Sequence, residues 1–159
     1  MKAGAGKSEI VLAEEYLEIE DFAVIHRTLN ARAVVIQSGQ TVVLLSLEVT
    51  SLPDEETLAI RKKIVENYPV GEDHVWVCVT HTFSAPHLLP DFILKDPDKI
   101  AEKAKYREEL IRASLEAVGK GFASLQNASV GIGDGYSLVN CNRDVQLEDG
   151  WWVGTGGPG

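Results

Sequence analysis

The feature that most constrains this chain is a short apolar run that breaks abruptly into polar residues. Val75, Trp76, Val77, Cys78 and Val79 are β-branched, aromatic or small, a composition that reads as a strand buried on both faces. Thr80, His81, Thr82, Phe83, Ser84, Ala85 and Pro86 follow at once. Regular backbone stops there while the sheet still fixes position, so His81 is held firmly yet reachable from outside. Two readings of His81 fit the segment: a working group at a strand end, or a histidine satisfied at the surface or in the core.

The flanking sequence supplies the rest of a sheet and its cover. Ala31–Gln37 and Thr41–Leu47 are β-branched runs separated by Ser38, Gly39 and Gln40, which predicts a hairpin. The second run is nearly continuous in apolar character and belongs inside the sheet. Ser8 to Leu12 fits an edge strand. Pro53, Asp54, Glu55 and Glu56 mark a helix start with Ser51 as the expected cap, and Leu58, Ile60, Ile64, Val65 and Tyr68 share its apolar face. Pro69 and Gly71 end it. The strand at Val75–Thr80 then returns parallel to Thr41–Leu47 through a right-handed crossover.

A Pro-punctuated loop follows, through Pro86, Pro90 and Pro97, to a long helix capped by Asp96 or Asp98 and running to about Leu125. Ile100, Ala104, Ile111, Leu115, Val118, Phe122 and Leu125 form its stripe, read as core. Ser129–Gly133 is expected as a short strand. Beyond Gly131 the sequence is dense in Gly, Asn and Asp, without a regular element of useful length. The expected fold class is α/β, a mixed β-sheet covered by two helices, with residues 1–159 as a single domain.

Composition narrows the function classes. A chain of 159 residues can bury a real core. Its net charge of −9, with Lys and Arg scattered apart from the run Arg61-Lys62-Lys63, disfavours nucleic acid or an anionic membrane as the main partner. No apolar stretch approaches the roughly 20 residues that cross a bilayer, so the expectation is a soluble protein. The N-terminal MKAGAGKSEI has no apolar signal region, which makes a cytoplasmic location the expectation. Cys78 and Cys141 form neither a disulfide framework nor a metal pattern, and Cys78 reads as a small core residue.

Other local candidates are weaker. His87 offers a substitute ligand on the loop of His81, and His26 lies just before the hairpin. His74 precedes the strand and belongs at its other end. Ser84 has no nucleophile elbow around it. Gly131-Ile132-Gly133-Asp134-Gly135 lacks the spacing and helix of a phosphate loop. Asp134 and Asp144 are candidate supports for a site.

The succession ARAVVI, VVLLSLEVTS, LAIRKKI, THTFSAP, ASVGIGDG, NCNRD and DGWW, from about residue 23 to 152, resembles the N-terminal part of the neutral/alkaline ceramidase family. Thr80–Pro86 is similar to that family's T-H-T-H-S-G-P signature, with Phe83 at its second histidine and Ala85 at its glycine. The resemblance implies a zinc-dependent amidase that hydrolyses the N-acyl bond of ceramide or a sphingolipid-like relative. It implies that His81 is a zinc ligand, that Arg143 holds the amide and its developing charge, and that Phe83 and Asn142 meet the substrate. The family's other zinc ligands and its serine lie further along, and this chain has no histidine after His87. Two expectations follow: a part of a longer amidase that is inactive in isolation, or a non-catalytic binding or structural module.

Overall fold

A computed structural model describes residues 1–12, 24–88, 96–139, 144–146, 148, 150 and 152–154, with side chains at all of these except Lys99, 144–146 and 152–154. The chain divides into two compact units, Met1–Ser129 and Val130–Gly159.

In the first unit the two β-branched runs become β2 (Leu29–Ser38) and β3 (Gln40–Leu47), an antiparallel hairpin turning at Gly39 with φ of 76°. β1 (Lys2–Ile10) pairs antiparallel with β2, β4 (Val75–Val79) pairs parallel with β3, and the two-residue β5 (Gln126–Asn127) pairs antiparallel with β1. The sheet order is β4-β3-β2-β1-β5, so it is mixed, as the sequence predicts. β1 extends one expectation: the strand begins at Lys2 and ends at Ile10, and since β5 pairs only with Lys2 and Ala3, residues 8–10 lie at the edge among the described strands.

Among the described residues, two helices cover one face. α1 (Asp54–Asn67) connects β3 to the short 3₁₀ turn Glu72–His74 and β4, and α2 (Pro97–Ala123) lies across β1 and β2. Asp96 caps α2, its side chain accepting from the Asp98 amide at 3.0 Å. Ser51 does not cap α1; Pro53 holds that position, and its carbonyl accepts from Glu56 and Thr57. The face α1 buries is also narrower than expected, with Ile60 and Ile64 in the core and Leu58 exposed. Glu56 is buried too, bridged by Arg107 and Lys103 from α2, so an ionic cluster pins the two helices. Further along, Tyr68 stacks on Phe122 at 5.1 Å and donates its hydroxyl to the Leu115 carbonyl.

The core lies between sheet and helices. Ala31, Ala33 and Val35 of β2, Val43, Leu45 and Leu47 of β3, and Leu110, Ala117 and Val118 of α2 are essentially inaccessible. Of the predicted α2 stripe, Val118 joins this core, whereas Ile100 is exposed. α2 comes unusually close to β1 because Gly4 and Gly6 present no side chain to it.

The register puts Val34, Leu44 and Trp76 on the face that no described helix covers, where Trp76 is 67% exposed. This corrects the expectation of a strand buried on both faces: β4 is an edge strand covered on one side, and Cys78 is exposed rather than core. Among the described residues, no helix is long and apolar enough to cross a membrane.

In the second unit, β6 (Asp144–Gln146) and β7 (Trp152–Gly154) pair antiparallel with Val145 opposite Val153. Ser129–Gly133 forms no strand, in contrast to the expectation, and Ile132, Tyr136 and Leu138 are exposed. Their apolar character made a strand plausible, but the stretch finds no partner among the described residues.

Candidate functional site

The polar stretch after β4 borders a groove at one end of the sheet. β3 and β4 run parallel, so their C-terminal ends meet there, beside the N-terminal end of the antiparallel β2. Thr80, Thr82, Phe83, Ser84 and Pro86 line one side of the groove, and Leu12 and Val24–Leu29 another. Asn30, Arg32 and Glu48 complete it, and its volume is about 940 Å³. By register Arg32, Glu48 and Thr80 lie on the side of the sheet opposite the two described helices.

The end of β4 is fastened at two points. The Thr80 amide donates to the Leu47 carbonyl at 2.9 Å, and the buried Thr50 hydroxyl donates to the Thr82 carbonyl at 2.5 Å. Between them His81 sits at φ of 59°, in the left-handed region that side chains other than glycine avoid. Regular extended backbone therefore ends at His81 itself, and the strand alternation that would put His81 and Phe83 on one side does not govern them. Their rings meet edge-to-face instead, with centroids 5.3 Å apart. His87 meets the far side of Phe83 at 6.1 Å, so an exposed phenyl ring stands between two imidazoles.

His81 is exposed and is not among the groove's lining residues, although its neighbours Thr80 and Thr82 are. His26 lines the groove and is exposed, His87 is half-buried, and His74 lies at the opposite end of β4. Ser84 lines the groove, and its amide donates to the Thr82 hydroxyl at 3.3 Å. Among the described residues it has no hydrogen bond to His81. Asn142, Arg143 and Cys141 lie outside the described residues, while Asp134 is exposed in the second unit and Asp144 begins β6 there.

On the wall that the sequence marked only through His26, Glu48 is the anchored acid. Burial works to raise its carboxyl, but hydrogen bonds from Asn30 at 3.0 Å and from Arg32 outweigh that and hold it below its ordinary range. Asn30 also donates to the Thr28 carbonyl at 3.0 Å, which fixes the wall to the sheet. The signal for this pair was present in the hairpin register, where Asn30 and Glu48 stand opposite each other.

No group of three or more His, Cys, Asp or Glu side chains suited to hold a metal ion occurs among the described residues. A catalytic zinc site takes three protein ligands and leaves one position open. The donor set described here therefore does not fit a complete zinc site.

No protein-family model matches the chain, and no curated protein does. Solved structures do match. One is the neutral ceramidase of Pseudomonas aeruginosa, at 22% identity and a TM-score of 0.62, over 79% of this chain and 22% of that one. Another is a ceramidase complexed with C2, at 21% identity and a TM-score of 0.61, over 79% of this chain and 21% of that one. The chain thus spans about a fifth of the length of the structures it matches. Over 79% of this chain the fold, a mixed sheet with its helices, is that of part of the neutral ceramidase structures.

Proposed function

We propose that the chain contributes a substrate groove and part of the active site of an amidohydrolase that cleaves an N-acyl, ceramide-like amide. The observation that supports this most is the position of Thr80–Pro86: the segment resembling the ceramidase signature borders the groove, in a fold shared with neutral ceramidase structures. In this reading His81 is one zinc ligand, Arg143 steadies the developing oxyanion, and Phe83 and Asn142 contact a sphingolipid-like substrate. Zinc, once bound, would supply Lewis acidity and a water of near-neutral pKa. The chain's own part is to orient the substrate. Phe83 gives the acyl portion an apolar surface, and Thr50 steadies the turn that carries His81.

Among the described residues the donor set is incomplete, which favours a second reading, a module that binds such lipids without cleaving them. Zinc content by plasma mass spectrometry, for wild type and His81→Ala, together with binding of a fluorescent short-chain ceramide, separates the two. The amidase reading expects zinc that is lost in the variant, and no turnover by the chain in isolation. Saturable ceramide binding with no zinc in either protein would overturn it in favour of the binding module.

A further inference from the structure

The groove beside β4 is amphipathic, and among its described lining residues the charges do not balance. Leu12, Val24, Ile25, Leu29, Phe83 and Pro86 give it apolar walls. Glu48 is committed to Arg32 and Asn30. Arg27 lines the same groove, is exposed, and has no ion-pair or hydrogen-bond partner among the described residues. Among the described residues one positive charge is thus left uncompensated beside the apolar walls. The chain as a whole carries −9, so this charge is a local property of the groove and not an effect of an overall basic protein.

We propose that the groove prefers an N-acyl amide whose polar end is anionic, such as an N-acyl amino acid, over a neutral ceramide, with Arg27 on the carboxylate and the acyl chain against Phe83. This rests on the groove being the substrate site of the reading above. A guanidinium matches a carboxylate with two parallel hydrogen bonds and a full opposite charge, whereas a neutral hydroxylated head offers only single hydrogen bonds. The acyl chain needs an apolar surface, and the exposed ring of Phe83 is the largest on the turn after β4. Glu48, already neutralised by Arg32, does not repel the incoming carboxylate as a bare acid would.

The test is calorimetric binding of N-lauroylglycine and N-lauroylethanolamine, which share an acyl amide and differ in head charge, to wild type, Arg27→Gln and Phe83→Ala. The expected result is at least tenfold tighter binding of N-lauroylglycine, with that preference lost in Arg27→Gln and the neutral amide unaffected there. Phe83→Ala is expected to weaken both. Circular dichroism melts show whether each variant remains folded, and Arg27 is an exposed residue whose loss should leave the melt unchanged. Equal affinities in wild type, or a preference that survives Arg27→Gln, would overturn the proposal while leaving the groove as an acyl-amide site. Failure of both amides to bind would overturn the groove reading and the proposal together.

Discussion

Thr50, buried just beyond β3, donates its hydroxyl to the carbonyl of Thr82 at 2.5 Å and so ties the turn that carries His81 to the sheet. The contact spans 32 residues of sequence and replaces the ladder that β4 has already left. Thr50→Val keeps the shape and removes the donor. A lost hydrogen bond with a half-buried carbonyl left behind should lower stability by about 1–2 kcal/mol. Thr50→Ser should retain most of it. Urea denaturation of the three proteins checks this, and Val and Ser variants of equal stability would show that the bond contributes nothing.

His81 is held at φ of 59°, a conformation that costs a residue with a Cβ about 1–2 kcal/mol. His81→Ala and His81→Gly both remove the imidazole and its contact with Phe83, but only glycine relieves the backbone. The glycine variant should therefore exceed the alanine variant in stability by about 1 kcal/mol, although glycine normally loses to alanine through its unfolded-state entropy. Thermal melts of the pair decide it. An alanine variant equal to or more stable than the glycine one would mean that the turn relaxes to ordinary backbone. If the strain is real, it holds the ring away from the direction strand alternation would give it.

The hairpin was legible because its signals were local: β-branched runs and a glycine at the one position that needs positive φ. β1 was largely missed for the opposite reason. Its buried face is Gly4, Ser8 and Ile10, and small residues selected for close helix approach carry little β signal. The apolar run from Val75 to Val79 correctly marked a strand, but hydropathy cannot say whether a layer covers each face; Trp76 stands on the open one. The same limit affects the site. The polar turn after β4 stood out in sequence, whereas the Val24–Arg27 wall opposite it becomes visible only once β2 and β4 are placed side by side with β3. Ser51 resembled a cap by residue type, but Pro53 starts the helix two positions later with its fixed φ.

Glu116 sits at the junction of α2 and β1, accepting from Lys120 at 2.6 Å, from the buried Ser8 hydroxyl at 2.9 Å and from Arg112 at 2.6 Å. These donors, Lys120 foremost, pull its carboxyl from an ordinary 4.5 down to about 2. A carboxyl lowered in the folded state keeps its proton off where the unfolded chain takes one up. Its contribution is therefore complete above the ordinary value and is lost as pH falls toward 2. Wild type should lose stability across that window more steeply than Glu116→Gln, and the difference should shrink in high salt because the group is exposed. Denaturation midpoints measured between neutral pH and the acid limit give the comparison. Parallel curves for the two proteins would mean the contacts exchange with water and hold nothing.

Gly6 faces α2 so closely that an added Cβ would collide with the carbonyl of Ala117 and lie 2.6 Å from the Gly121 amide nitrogen and 2.7 Å from Lys120 Cβ. Two of those three atoms are backbone and cannot turn aside. The helix must move off the strand, which disturbs the hydrogen bonds joining Ser124 to Ala5 and the packing of Gly121 on Val35. Overpacking against flexible side chains costs about 1–3 kcal/mol, and against backbone it should reach or exceed the top of that range. Gly131→Ala, where nothing lies within 4 Å, is the matched control and should change stability by no more than about 0.5 kcal/mol. Chemical denaturation of both variants measures the contrast. A Gly6→Ala protein as stable as the control would show that α2 can slide on the sheet without loss. Since β2 forms one wall of the groove and packs beneath the same helix, ligand affinity would then be the next quantity to shift.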